Sequence, residues 1–150
     1  MTIEDDIAFL ERVPILRRLG GGALRSLAIA AEAQIIQAGE VLFNAGDAAD
    51  GAFLVRQGSL SLQLPRTEEP EVVAGPGTLL GEAALLAAIK RPATATARED
   101  SMVLRISRST FLKILDSYPD AAVRIRELLV MRTDQWAREM ENVRAALARQ

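Results

Sequence analysis

The sequence predicts a mainly β fold, an antiparallel β-barrel or jelly roll, with helices before and after it along the chain. Between residues 33 and 106, short β-rich runs are separated by Gly-containing turns at close intervals, as at Gly39, Gly46, Gly51 and Gly58. On both sides of this region apolar residues recur at three- and four-residue steps, which is the period of an amphipathic helix. A length of 150 residues suits one domain. We therefore expect a single domain over residues 1–150, with N-terminal helices at about 2–32, strands at about 33–106 and C-terminal helices at about 107–148.

The N-terminal region predicts two helices. Thr2 precedes an acidic first turn and is a suitable cap, and Ile7, Leu10 and Val13 share one face of the helix that follows. The triple glycine at 20–22 breaks the chain. The apolar pattern then resumes at Leu24 and continues at three- and four-residue steps, which predicts the second helix.

Within the β region, local patterns predict individual strands and turns. The run SLSLQL alternates polar and apolar residues, as a half-buried strand does. The segment RTEEPE, residues 66–71, is charged and predicts an exposed hairpin loop, and EVVAGPGTLL predicts a strand followed by a Gly-Pro-Gly turn. The segment TATAREDSMVLRIS predicts two more strands joined by REDS.

The C-terminal region predicts helices to the end of the chain. Ser107 or Ser109 caps the first, and Pro119 marks the start of the next. Apolar positions in the last helix follow alternating four- and three-residue steps, a heptad seam made of Leu129, Thr133, Trp136, Met140, Val143 and Leu147. This seam either packs on the protein's own barrel, forms a parallel or antiparallel homodimer, or closes as a lid on a ligand through Trp136 or Met131. We favour the homodimer, because the seam is longer than one small barrel covers.

Composition excludes several classes of function. The chain has a net charge of −2 and contains no Cys and no His, which excludes disulfides, thiolate nucleophiles, the usual zinc sites and imidazole catalysis. No apolar run approaches the roughly 20 residues of a membrane span, and the N-terminus lacks a signal-peptide pattern. Arg and acidic residues alternate along the tail, which is typical of a solvated helix rather than of a DNA reader. We expect a cytoplasmic protein that is not an enzyme and binds neither membrane nor nucleic acid.

One stretch inside the β region predicts a binding site. The segment GEAALLAAI, residues 81–89, which we call the insert, reads as a short helix placed among strands. Backbone N–H groups at a helix start attract anions, and Gly81 has no Cβ to keep a ligand away from the backbone. Arg91 follows with a permanently charged guanidinium that can hold two phosphate oxygens. Glu82 can accept a hydrogen bond from a sugar hydroxyl. An anion next to a hydroxylated ring indicates a nucleotide.

The residues around the insert resemble a known motif. LGEAALLAAIKRPATATA is similar to the phosphate-binding cassette of the cyclic nucleotide-binding domain family, of the catabolite activator and protein kinase A regulatory subunit type. The glycine turns of AGEVLFNAGDAADGAFLVRQGSLSL and the helix–barrel–helix order are similar too. The resemblance implies an eight-stranded antiparallel β-roll. It also implies a cyclic nucleotide as ligand and no cofactor, in a stand-alone, bacterial-like member without a DNA-binding domain.

The resemblance assigns roles to the phosphate and ribose contacts. Gly81 and Glu82 would meet the ribose and phosphate, with Glu82 on the 2′-hydroxyl. Ala83 and Ala84 would donate backbone N–H groups to the phosphate, and Arg91 would pair with the exocyclic phosphate oxygens.

It also assigns the remainder of the pocket. The Ala93 N–H would join Arg91 at the phosphate, Thr94 would lie near the base edge or phosphate, and Leu79 and Leu80 would line the apolar side. Pro92 departs from the family pattern, because a Thr at this place favours guanine and proline has neither hydroxyl nor N–H. This departure favours cAMP over cGMP.

Two other interpretations remain open at this point. In the first interpretation, Arg91 and Glu82 form only a surface ion pair. In the second, the protein is a scaffold or interaction module whose degenerate pocket binds no cyclic nucleotide. We favour a cyclic nucleotide sensor whose C-terminal helices shift on binding and which acts through an effector protein that the sequence does not identify.

Overall fold

The computed structural model describes residues 2–66, 68 and 71–148, except for the side chains of Thr133 and Trp136. In this part of the chain the helices are α1 (Ile3–Leu10), α2 (Pro14–Arg17), α3 (Gly21–Ala30), α4 (Arg108–Ser117) and α5 (Pro119–Ala148). The strands are β1 (Glu32–Ile36), β2 (Val41–Phe43), β3 (Ala48–Ala49), β4 (Gly51–Gln57), β5 (Leu60–Gln63), β6 (Val72–Ala74), β7 (Leu79–Leu80), β8 (Ile89–Lys90), β9 (Thr94–Ala97) and β10 (Ser101–Ser107). The mainly β class with flanking helices is confirmed.

Helix α1 forms because its start is capped, and the N-terminal helices bury an apolar face. Thr2 accepts a hydrogen bond from the Asp5 N–H at 3.2 Å, and the Thr2 N–H donates to the Asp5 carboxylate at 3.0 Å, which lowers the pKa of Asp5. The predicted apolar face is buried at Leu10 and Leu24. A short helix, α2, which the sequence pattern did not predict, lies between the two.

All strand pairs are antiparallel and fall into three groups. One sheet has the order β1-β10-β4-β7, a second has β2-β9-β5-β6, and β3 pairs with β8 as a two-stranded ribbon. The described residues therefore hold ten strands, several of them only two or three residues long, in sheets that do not close into a barrel. The expected number was eight; the two strands of the β3–β8 ribbon account for the difference.

Strand β4 lies between two hydrophobic cores. Ala52 and Leu54 point to a core shared with helices α1 to α5, whereas Phe53 and Val55 point to a second core between the two large sheets. Alternate side chains of a strand point to opposite faces, and here both faces are covered, so residues 51–55 are all buried.

Two predicted details are corrected by the structure. Gly51 is not a turn residue: it begins β4, and a Cβ built on it would lie 2.1 Å from the carbonyl oxygen of Ile106 on the neighbouring strand. The insert is not an α-helix but a single 3₁₀ turn, Glu82–Leu85. The loop predicted at residues 66–71 lies partly outside the described residues.

The C-terminal helices begin where the sequence predicted. Ser107 caps α4 by accepting the Thr110 N–H at 3.1 Å, and α5 begins at Pro119. Arg124 anchors the first part of α5 by donating to the carbonyl oxygens of Arg18 and Leu19 at 2.8 and 2.7 Å. Every described side chain from residue 130 onward is exposed.

No helix in the described ranges combines the length and the apolar character that crossing a lipid bilayer would require.

Candidate ligand-binding site

A cavity of about 390 Å³ opens between the two large sheets and the insert. This volume lies within the roughly 300–1,000 Å³ of ordinary small-molecule sites. The walls are mostly apolar, and the charged groups among them are one guanidinium and one carboxylate. The lining residues are Phe43, Leu62, Thr78, Leu79, Leu80, Gly81, Glu82, Ala83, Ile89, Arg91, Pro92 and Ala93.

The guanidinium is that of Arg91, which is 5% exposed. Nη2 donates to the carbonyl oxygen of Gly51 at 2.8 Å, but Nη1 is buried without a hydrogen-bond partner. The charge lies over two aromatic rings, 4.5 Å from the centroid of Phe43 and 5.4 Å from that of Phe53. Cation–π contacts of this kind stabilise a desolvated cation, but they supply no hydrogen-bond acceptor to Nη1.

The electrostatics of Arg91 favour an added negative charge. Burial lowers the pKa of Arg91, and the Asp50 and Asp47 carboxylates raise it in partial compensation. The side chain nevertheless stays protonated at neutral pH, because the pKa of a guanidinium in water lies far above neutrality. Among the described residues no carboxylate forms an ion pair with Arg91. A buried cation without a counter-ion is costly, and a bound anion would supply the missing charge.

Gly81 is required beside this guanidinium for two reasons. Its φ of +84° lies in the left-handed region, which a residue with a Cβ adopts at a cost. A Cβ built on it would lie 2.3 Å from Arg91 Nη1 and 3.3 Å from the Gly51 carbonyl oxygen. The backbone of the insert and the guanidinium therefore approach each other closely at the cavity wall.

Glu82, the carboxylate of the site, is held by the C-terminal helix. Arg132 on α5 donates from Nη1 to its carboxylate at 2.5 Å. Both side chains are partly exposed, at 44% for Arg132 and 37% for Glu82. A polar group of the cavity is thus in direct contact with α5, the helix that the sequence predicted to respond to ligand.

The cavity brings together most of the residues that the sequence proposed. Its walls include Leu79, Leu80, Gly81, Glu82, Ala83, Arg91, Pro92 and Ala93. Ala84 and Thr94 lie elsewhere: the Ala84 N–H donates to the Gly81 carbonyl oxygen at 2.9 Å, and the Thr94 hydroxyl accepts the Ala45 N–H at 2.9 Å. Met131 does not line the cavity, and the side chain of Trp136 lies outside the described residues.

Sequence reasoning missed the residues that the strand pairing brings to the site. These residues are Phe43, Phe53, Leu62, Thr78 and Ile89. Phe43 ends β2 and Phe53 lies within β4, and their rings stack with centroids 5.9 Å apart. The strands that carry them are not neighbours in either large sheet, so no local pattern indicates that two phenylalanines meet at one arginine.

Comparison with known proteins identifies the relatives of this arrangement. Residues 33–118, more than half of the chain, match the family model described as "Cyclic nucleotide-binding domain". A solved structure, a cyclic nucleotide-binding-like protein from Brucella abortus, is 38% identical with a TM-score of 0.67. The similarity covers 75% of this chain and 98% of that one.

Two curated relatives are longer proteins. A cyclic nucleotide-gated potassium channel of Mesorhizobium japonicum is 31% identical over 120 residues, which cover 80% of this chain and 33% of the channel. A cAMP-dependent protein kinase regulatory subunit of Yarrowia lipolytica is 34% identical over 109 residues, which cover 71% of this chain and 28% of that subunit. The chain therefore spans about a third of the length of these relatives.

Proposed function

Because the chain belongs to the cyclic nucleotide-binding domain family, we propose that it binds a cyclic nucleotide in the cavity beside Arg91 and acts as a regulatory sensor. The observation that carries this proposal is the buried Arg91 guanidinium, which forms no direct ion pair with a carboxylate of the described residues and whose Nη1 has no hydrogen-bond partner. A phosphodiester bound there would supply both a negative charge and a hydrogen-bond acceptor.

The remaining contacts follow from the walls of the cavity. With the phosphate at Arg91, the ribose lies toward Glu82, whose carboxylate accepts a hydrogen bond from the 2′-hydroxyl. The base then meets apolar surface that includes Leu62 and Ile89. Such walls bury the apolar surface of the ligand, while the few polar groups fix its orientation, as is usual in a small-molecule site.

We propose cAMP rather than cGMP as the ligand. Pro92 lines the cavity directly after Arg91 and offers neither a hydroxyl nor an N–H group to the base. Recognition of guanine depends on polar groups that satisfy its carbonyl and amino substituents. A site that leaves them unpaired discriminates against guanine.

Calorimetric titration with cAMP and with cGMP tests the proposal. The parent protein is expected to bind cAMP more tightly than cGMP. Arg91→Ala should weaken binding by about 2 kcal/mol or more, roughly 30-fold, because a buried charge-assisted contact is lost. Arg25→Ala is the matched control, since Arg25 is exposed on α3 and pairs with Glu4 away from the cavity.

The alternative is a scaffold or interaction module whose pocket binds no cyclic nucleotide. Absence of heat with either nucleotide at high micromolar concentration would support it. Equal binding by the parent and Arg91→Ala would show that the ligand occupies another place.

We propose a second property, homodimerisation through α5. Met140, Val143 and Leu147 of the predicted seam are 47%, 53% and 64% exposed, so the protein's own roll does not cover them. In this heptad register Glu139 and Arg144 occupy the flanking g and e positions, which carry opposite charges toward each other in a parallel two-stranded coil. These charges favour the parallel arrangement over the antiparallel one.

The proposed sensor responds through the same helix. The Glu82–Arg132 contact joins the ribose side of the cavity to α5, so ligand that engages Glu82 alters the contact and thereby the position of the helix. The effector is a partner protein that reads this change. We keep the cytoplasm as the proposed location, since the chain contains no Cys, and we propose binding rather than catalysis.

A further inference from the structure

We propose that Arg108 is a positioning residue that ties the insert to the C-terminal helices, so that ligand-driven movement of the insert reaches α4 and α5. This inference rests on the proposed nucleotide site, since it concerns how that site is held and read out. Arg108 does not line the cavity, and the sequence patterns assigned it no role.

The contacts of Arg108 converge on the end of the insert. Its Nη1 lies 3.2 Å from the carbonyl oxygen of Ala84 and 2.9 Å from that of Ala87. It also lies 3.1 Å from the carbonyl oxygen of Ala49, at the end of β3. One charged nitrogen therefore holds the insert, at Ala84 and Ala87, against the corner where β3 leads into β4.

The main chain of Arg108 is fixed at the same corner. Its N–H donates to the carbonyl oxygen of Asp50 at 2.6 Å, and the residue is the first of α4. Ala49 in turn is paired with Ile89 in the β3–β8 ribbon, and Ile89 lines the cavity. The main chain and the side chain of Arg108 thus connect α4 to elements that border the ligand site.

The placement of this charge favours a linking role over a general helical one. A cation in the first turn opposes the helix dipole, and α4 has no acidic residue there to compensate. The last carbonyl groups of a short helical turn have no partners within it and are well satisfied by a cation. No ion pair to a carboxylate of the described residues competes for Arg108, so its charge serves the carbonyl groups of the insert.

The link has a consequence for signalling. The insert borders the cavity at Glu82 and Ala83. The carbonyl groups of Ala84 and Ala87, which Arg108 contacts, follow within a few residues. Because Arg108 contacts these carbonyl groups, displacement of the insert by ligand also displaces the first turn of α4. Helix α4 leads through Tyr118 into α5, so the movement continues into the helix that carries the seam.

The first experiment compares Arg108→Gln and Arg108→Lys with the parent by calorimetry with cAMP and by ligand-induced change in Trp136 fluorescence. Trp136 is the single Trp of the chain and belongs to α5. Arg108→Gln removes the charge from the contacts that hold the insert, so it should raise the dissociation constant about tenfold and should abolish the fluorescence change at saturating ligand. Arg108→Lys keeps the charge and should recover part of both signals. The control Arg25→Gln should match the parent.

The second measurement is hydrogen exchange of the insert in the ligand-free proteins, which does not depend on nucleotide binding. The N–H groups of Leu86 and Ala87 donate to the Ala83 carbonyl oxygen at 3.2 and 3.1 Å, so their exchange reports whether the insert is held. Arg108→Gln should accelerate it and Arg108→Lys should restore it partly.

The outcomes separate the two proposals. If the parent binds no cyclic nucleotide but Arg108→Gln accelerates exchange, the nucleotide site is wrong and the tie between Arg108 and the insert stands. If Arg108→Gln binds cAMP as tightly as the parent and keeps the full Trp136 response, Arg108 is merely structural and the inference is overturned, whatever the exchange rates. Unchanged exchange in Arg108→Gln overturns it as well.

Discussion

The side chain that best explains this protein is Arg91, because it is well packed although its charge is desolvated and one of its donors has no partner. Its aliphatic and planar surfaces are buried against Phe43 and Phe53, and Nη2 donates to the Gly51 carbonyl oxygen. The atom without a hydrogen-bond partner is Nη1. A buried unpartnered donor costs about 1–3 kcal/mol, more when the group is charged. The free protein therefore retains a cost at Arg91 that the proposed anionic ligand would relieve.

The same scale gives a prediction for Gly81. Gly81→Ala places a Cβ in a left-handed conformation and 2.3 Å from Arg91 Nη1, so it should destabilise the fold by about 1 kcal/mol and displace the guanidinium. Binding of cAMP should weaken markedly, as measured by calorimetry beside thermal unfolding.

Gly39→Ala is the control for that substitution. Gly39 has a φ of +88°, and a Cβ built on it would have no other atom within 4 Å, so it carries the same backbone cost without the close contact. Both variants should lose stability, Gly81→Ala at least as much as Gly39→Ala, and only Gly81→Ala should bind the ligand more weakly. Equal affinities would mean that the close approach at Gly81 does not position Arg91.

At the scale of elements, the insert and α5 meet through Glu82 and Arg132. An exposed pair of this kind contributes about 0–1 kcal/mol, so it stabilises the contact between the insert and α5 only weakly. Arg132→Gln should leave Glu82 free for the ribose hydroxyl and tighten cAMP binding by up to about fivefold. Calorimetry measures this, with Arg138→Gln, farther along the exposed part of α5, as the control. Weaker binding in Arg132→Gln would indicate instead that Arg132 contacts the ligand.

The seam of α5 gives the next prediction at this scale. Met140→Glu should shift the protein toward monomer in sedimentation velocity, because it places like charges at facing positions of two helices. Gln135→Glu adds the same charge outside the seam and should leave the distribution unchanged. A parent that sediments as a monomer at all concentrations would remove the dimer proposal.

Elements also show what the sequence could predict. The capped starts of α1 and α4, the Pro119 boundary and the Gly-Pro-Gly turn depend on local chemistry, so they were predicted correctly. Gly51 was misassigned because its requirement is not a turn but the close approach of β10, which lies about 50 residues away along the chain. The insert was predicted as a helix because its composition favours one, whereas the structure has only a single 3₁₀ turn there.

At the scale of the whole molecule, strand β4 contacts both the core that holds the helices and the region of the cavity. Its Ala52 and Leu54 belong to the core that holds the helices, and its Phe53 stacks on Arg91 in the region of the cavity. The residues of the site that lie next to each other in the chain, such as Gly81 and Glu82, could be predicted from their motif. Phe43, Phe53 and Arg108 could not, because their roles arise only when separated strands and helices come together.

This coupling of the cavity to the core predicts that ligand stabilises the entire fold. A ligand that binds only the folded state adds about 2.7 kcal/mol at a concentration of 100 times its dissociation constant. For a chain of this size about 1 kcal/mol shifts the midpoint of thermal unfolding by roughly 2–4 °C, so saturating cAMP should raise Tm by about 5–10 °C. Differential scanning fluorimetry measures the shift. Adenosine, which lacks a phosphate for the proposed contact with Arg91, should give almost none, and Arg91→Ala should lose the response to cAMP. A shift with adenosine equal to that with cAMP would mean that the nucleoside part, base and ribose, supplies the stabilisation and that Arg91 does not hold the phosphate.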